Sequence, residues 1–258
     1  MSLSLSTILM STLCLFVHPS HGTTETQPTK TPTSFSVEVG SLFTRNFELS
    51  GFGQPSATSG WSGQTPDFRI EYWRGGGTQW KRGWTFQPLD ITYRDKLTAD
   101  FTAKGNTFTI GSDANLRYMF PSVRWTENKR VLTGNNDTDE LRFGGSVIVR
   151  YADVNFNVNG TGFHDRNLIF FPLLNVEGEK KLGKSMSVFT RVDALPSPTG
   201  GLFIDGILDG LVALRKRDAN GASTDIGLRI FMGGYDPKKA GDYANRINYS
   251  ALVIRRNF

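Results

Sequence analysis

The chain has 258 residues, with 29 Lys and Arg against 24 Asp and Glu, 19 Phe, 28 Gly and one Cys. Such a composition excludes a disordered, collagen-like or disulfide-stapled protein. The formal charge of +5 is spread along the chain without basic clustering, so nucleic acid is not an expected partner.

Residues 1–22 contain no Lys, Arg, Asp or Glu, and Ile8 to Val17 is rich in Leu, Met and Phe. That is the pattern of a secretory signal, with Ser20 and Gly22 at the minus-three and minus-one positions of a cut before Thr23. Leu13 in front of Cys14 argues against acylation of that cysteine, and cleavage leaves residues 23–258 without a thiol. Stability must then come from packing or from a membrane. The longest apolar run beyond the signal, Leu168 to Leu174, falls far short of the roughly 20 residues of a spanning α-helix. Residues 23–33 are polar and contain proline, which predicts a flexible lead, with structure from residue 34 onward.

From there the pattern is period-two alternation, which places unlike side chains on the two faces of a strand. Phe35, Val37, Val39 and Phe43 oppose Ser36, Glu38 and Gly40. After a Gly/Ser/Pro-rich stretch at 50–66, Phe68, Ile70 and Tyr72 oppose Arg69, Glu71 and Trp73, and a turn at 75–78 leads to Trp80, Trp84 and Phe86. Residues 97–112 read as a hairpin standing above a membrane. Leu116, Tyr118 and Phe120 oppose Arg117 and Met119, with a phase break expected at Pro121. Further on, Phe143, Val147, Val149 and Tyr151 oppose Arg142, Ser146 and Arg150, and Leu174 and Val176 oppose Asn175, Glu177 and Glu179. Val188 and Val192 oppose Arg191 and Asp193; Leu208, Val212 and Leu214 oppose Asp209 and Arg215; Ile226, Leu228 and Ile230 oppose Arg229; Leu252, Ile254 and Phe258 oppose Arg255.

The polar faces decide the architecture. They carry Arg, Asp and Glu rather than the Lys, Ser and Thr of a solvated sandwich, and Arg suits fixed ion pairs where water is scarce. The expected fold is all-β, a single transmembrane antiparallel up-and-down barrel of about ten strands, within a range of about eight to twelve. Its expected lumen cluster is Arg69, Glu71, Arg142, Arg150, Glu177, Glu179, Arg191, Asp193, Asp209 and Arg229, with Arg117, Arg124, Arg215, Arg255, Lys81, Glu38 and Asp205 on the same faces. Long outer connections are expected at 50–66, 90–113, 154–167, 197–202 and 236–246, and inner ones at 75–78, 127–138, 183–184 and 217–223. Trp73, Trp80, Trp84, Trp125, Tyr151 and Phe258 fall near strand ends as candidates for an interfacial girdle.

The signal, the cysteine-free remainder and the last strand, Tyr249-Ser-Ala-Leu-Val-Ile-Arg-Arg-Asn-Phe258, resemble those of the Gram-negative outer-membrane β-barrels. The resemblance implies export to the outer membrane, a monomer surrounded by outer-membrane lipid, and an insertion signal made by Leu252, Ile254 and Phe258 that the barrel-insertion machinery reads. Arg256 departs from the aromatic usual at its position.

Chemistry has little support in the sequence. His164 is the one imidazole beyond the signal, with Asp165 beside it and Thr161 as the nearby hydroxyl, in an expected outer loop. The paired acids of omptin-like proteases have no matching motif. Asn135 to Asp139 offers oxygen ligands but lacks the glycine and terminal Glu of a calcium loop. No cofactor and no metal are expected. The leading expectation is a structural surface protein or narrow passive channel for small solutes, anion-selective if it conducts. The alternatives are a lipid- or peptide-modifying barrel enzyme centred on His164 and a soluble secreted β-protein.

Overall fold

The computed structural model of the protein describes residues 33–75, 79–133, 139–195, 206–235 and 241–258, and for residues 45, 46 and 235 the backbone alone. The expected signal and lead up to residue 32 lie outside the described residues, as do Asp205, residues 197–202 and most of the Asn135 to Asp139 run.

Among the described residues there are fourteen strands. They are β1 (Thr33–Gly51), β2 (Gly63–Arg74), β3 (Trp80–Gln87), β4 (Asp90–Lys96), β5 (Phe101–Ala103), β6 (Asn106–Phe108) and β7 (Asp113–Met119). The rest are β8 (Ser122–Thr133), β9 (Glu140–Val158), β10 (Thr161–Lys181), β11 (Met186–Leu195), β12 (Ile207–Arg217), β13 (Ser223–Tyr235) and β14 (Tyr243–Asn257). Ten of them close an antiparallel ring, β1-β2-β3-β8-β9-β10-β11-β12-β13-β14 and back to β1. The seam is sealed from Ser36 opposite Asn257 to Gly51 opposite Tyr243.

The lower wall follows from alternation. Val39, Phe68, Trp84, Val149, Leu228 and Leu252 stand on the outside and remain solvent-accessible, while Glu38, Arg69, Asp209 and Arg229 are buried within. On β9 the outward apolar residues run from Leu141 to Tyr151, about 34 Å of strand and so about 26 Å of height at a tilt of about 40°. That matches the apolar band of a bilayer-spanning barrel.

Above this band the chemistry of the two faces reverses. The pair β4–β7 continues β3–β8 in one register: Gln87 pairs with Ser122 and Asp90 with Met119, so Pro88 faces Pro121. The expected phase break at Pro121 does not occur. Leu116, Tyr118 and Phe120 point inward like Ser122 and Arg124 below them, and Arg117, expected in the lumen, points out to water and pairs with Asp90 at 2.6 Å. On β1 the reversal comes from a bulge between Thr44 and Asn46, after which Phe47 and Leu49 take the interior positions.

The expected outer loop at 154–167 is instead strand, because β9 and β10 meet in the two-residue turn Asn159-Gly160, both at positive φ (51° and 86°). Glycine supplies the second of these conformations without steric cost, and the pair forms the tight turn that favours a twisted hairpin. The expected inner connection at 127–138 is also mostly strand, since β8 runs to Thr133. Likewise 90–113 contains β4, β5 and β6 and ends at the first residue of β7.

The upper storey encloses an apolar core. Phe101 of the β5–β6 hairpin stacks on Phe108 (5.6 Å) and meets Phe156 edge-on, while Phe163 packs on Tyr243 at 4.7 Å. The hairpin is fastened across the mouth by Lys104 N–H donating to the Gly241 carbonyl (2.9 Å). One side of the upper wall lacks a ladder. Continuing the β2–β3 register upward sets Phe68 against Pro88 and Pro66 against Asp90, where proline has no N–H to give. Thr65 Oγ1 to Asp90 O (3.3 Å) and Trp61 Nε1 to Lys96 O (3.0 Å) bridge that gap.

Candidate functional site

Every residue of the expected lumen cluster lies in the interior, and the structure gives each a specific neighbour. Asp209 is the hub. Arg69 reaches its Oδ2 at 2.9 Å, Arg124 reaches the same oxygen at 2.5 Å, and Arg229 reaches Oδ1 at 2.9 Å. The contacts of Arg69 and Arg124 cross the barrel from β2 and β8 to β12, and that of Arg229 comes from the adjoining strand β13. Arg124 also binds Asp193 (2.6 Å), and Arg229 holds Glu38 in a two-pronged contact at 2.7 and 2.8 Å.

Nearer the inner end, Glu71 is the second hub, taking Arg191 (2.8 Å), Arg255 (3.3 Å) and the Trp73 indole N–H (2.9 Å). Arg191 continues to Glu177 (3.0 Å), which also receives Lys81, and Arg215 bridges Glu179 (2.6 Å) and Asp225 (2.8 Å). Arg217 pairs with Glu179 as well. Arg142 meets Glu140 at 3.0 Å. Trp73, expected in the outer girdle, lies inside beneath the Arg191 guanidinium. Gly83 makes room for it: a Cβ there would lie 2.3 Å from the indole. Asp67, 3.8 Å from Arg69, and Asp225, which takes Arg215 and Arg255, were absent from the expected set, although each extends its strand's inward row by one more position.

Such pairs hold a shape more than they add stability, since the desolvation of each ion offsets most of the attraction; removing one partner, however, strands the other in a dry interior. The network fills the lumen with charged side chains locked on one another from opposite walls. The aromatic core closes it above.

Arg150 stands apart. No carboxylate lies within ion-pair distance of it among the described residues. Its guanidinium is instead held between the rings of Phe120 (4.8 Å) and Phe231 (5.0 Å).

Outside the upper storey, β4, β7, β9 and β10 present a polar wall. Thr92, Arg94, Asn115, Arg117, Asn155 and Asn157 line a shallow open groove on it. His164 lies here, on a strand and not on the expected loop, and its acid partner is Asp153 at 2.8 Å, not the adjacent Asp165. Arg166 Nε binds the other Asp153 oxygen at 3.0 Å. Desolvation raises the Asp153 carboxyl, but the hydrogen bonds from His164 and Arg166 outweigh it and hold the group below its ordinary range. The imidazole faces bulk water, and no serine, threonine or cysteine side chain is bonded to it among the described residues. Asp165 points elsewhere, accepting from Tyr243 Oη at 3.2 Å and pairing with Lys104 at 3.4 Å.

On β14, Leu252, Ile254 and Phe258 are exposed on the outer wall, and Phe258 exchanges backbone hydrogen bonds with Phe35 at the seam (2.8 and 3.3 Å). Among the described residues no cluster of His, Cys, Asp and Glu has the arrangement of a metal site.

No family model matches the sequence, and no curated protein matches it either. Among solved structures, the outer-membrane protease OmpT from Escherichia coli superposes with a TM-score of 0.55 at 11% identity, over 91% of this chain and 98% of that one. Ail of Yersinia pestis (TM-score 0.36, 9% identity, 88% and 99% covered) and the Neisserial surface protein NspA (0.31, 10%, 86% and 95%) align more loosely, too loosely to carry an argument. The chain has the fold of a bacterial outer-membrane β-barrel. At this identity the likeness speaks for fold alone.

Proposed function

We propose that the protein is a monomeric, non-conducting barrel of the outer membrane that serves as a structural surface protein, holding a rigid polar collar above the lipid. The observation that carries this reading is the convergence on the single carboxylate of Asp209 of Arg69 and Arg124 from across the lumen and Arg229 from the adjoining strand. An open pore would leave such groups to water; here they are buried, and the aromatic mouth lies over them. Recording from planar bilayers tests it: the folded protein is expected to give no discrete conductance steps, and reproducible steps, of either selectivity, overturn it.

On this reading the protein reaches the membrane after cleavage behind Gly22, and the insertion machinery reads the lipid-facing row Leu252, Ile254 and Phe258 of the last strand. Mass spectrometry of the mature N-terminus and heat-modifiable migration of the outer-membrane fraction on a gel check both points. Catalysis is disfavoured because the His164–Asp153 pair lacks a bonded nucleophile and opens onto bulk solvent. If the protein were nonetheless an enzyme centred there, His164→Ala would abolish a measurable change in lipid or peptide profiles.

A further inference from the structure

The remaining anomaly is Arg150. Its residue is 92% buried, at 8% relative exposure, in a barrel whose other interior arginines each have a carboxylate. Its Nε is sealed from solvent with no hydrogen-bond partner. Facing it across the β8–β9 ladder is Ser122, also inward and buried, whose hydroxyl makes no hydrogen bond among the described residues. The aromatic rings on either side of the guanidinium attract it only weakly compared with an ion pair. The carboxylate that might have served it, Asp209, is already taken by Arg69, Arg124 and Arg229.

An uncompensated charge in such a place costs several kcal/mol, so something must answer it. We propose that Arg150 and Ser122 hold a small monovalent inorganic anion of about chloride size, at the boundary between the charged lumen and the aromatic mouth. Charge fixes the sign of the ligand, because among the described residues Arg150 is the interior arginine with no carboxylate within ion-pair distance. Size follows from burial: a guanidinium left 8% exposed between two aromatic rings has no room beside it for an organic phosphate. Two donors of the kind that bind halides, a guanidinium and a hydroxyl, sit at directly paired positions. The anion here is a buried structural ligand, so the proposal is independent of whether the barrel conducts.

Wild-type protein crystallised with bromide in place of chloride is expected to show an anomalous peak between the Arg150 guanidinium and Ser122 Oγ. In solution, the unfolding midpoint of the full folded barrel should rise about 3 °C for each tenfold increase in chloride, measured against gluconate at matched ionic strength. Arg150→Met should fold and lose that dependence. Absence of bromide at this position in wild-type crystals overturns the proposal whether or not the variant folds, as does a chloride response that persists in Arg150→Met.

Discussion

The lower and upper storeys of this barrel are built from the same strands and obey opposite rules. Along β9 the inward row passes from Arg142, Ser146 and Arg150 to Ala152, Val154, Phe156 and Val158, while the outward row passes from Phe143, Val147, Val149 and Tyr151 to Asp153, Asn155 and Asn157. Neither the strand nor its register is interrupted. What changes is the medium outside, from hydrocarbon to water, and each face carries whatever that medium leaves it free to be. A strand thus records the level of the membrane surface, here just above Tyr151 and Leu168, which pair with each other.

The largest expected effect comes from the lower storey. Asp209→Ala leaves three arginines facing one another and should destabilise the barrel by about 3–5 kcal/mol, read as a lowered urea midpoint of the gel-shifted folded form. Phe156→Ala in the upper core should cost about 3 kcal/mol by opening a cavity among Phe101, Phe108 and Phe163. Its damage should stay local, seen as faster hydrogen exchange in β5–β7 with little change below Tyr151; if exchange rises equally throughout, the two storeys are one cooperative unit and the division fails. A matched pair sharpens the boundary: Val149→Arg places a charge against lipid and should cost about 2 kcal/mol, whereas Asn155→Arg, on the same face three turns of the alternation higher, should fall within about 0.5 kcal/mol of wild type. Equal costs, measured by reversible unfolding in lipid vesicles, would put the membrane surface elsewhere.

The smallest effect concerns the latch of the upper hairpin. Burial lowers the Lys104 ammonium, but Asp242 and Asp165 outweigh that and raise it above its ordinary 10.5. A raised folded-state value means that the contribution is complete below about pH 10.5 and is lost as pH climbs through the higher folded value. Proteolysis between β5 and β6 should therefore be unaffected by pH up to that point and accelerate only above it. Lys104→Met should show the accelerated cleavage at neutral pH.

Much of the lower storey was legible in the sequence because lipid demands strict alternation, and rows such as Arg69 and Glu71 or Arg191 and Asp193 leave little other reading. The upper storey was not. Leu116, Tyr118 and Phe120 alternate with Arg117 in the same way whether their apolar side touches lipid or a dry centre, so period alone does not reveal which side is which. One signal was available: Asn159-Gly160 between alternating residues is a strong hairpin mark, and it would have turned the expected loop at 154–167 into strands and put His164 on an outer wall. The pairing of Arg69 and Arg124 with one aspartate on β12 could not be read locally, because it depends on strands brought face to face only by ring closure.

That closure has a kinetic consequence. The first and last strands, whose partners Ser36 and Asn257 stand near opposite ends of the described residues, seal the ring along their whole length. Contacts between such distant segments are entropically the last to form, so until then both strands present long unpaired edges to any neighbouring chain. The vulnerable period in the life of this protein is therefore its assembly, which ends only when Phe258 is joined to Phe35.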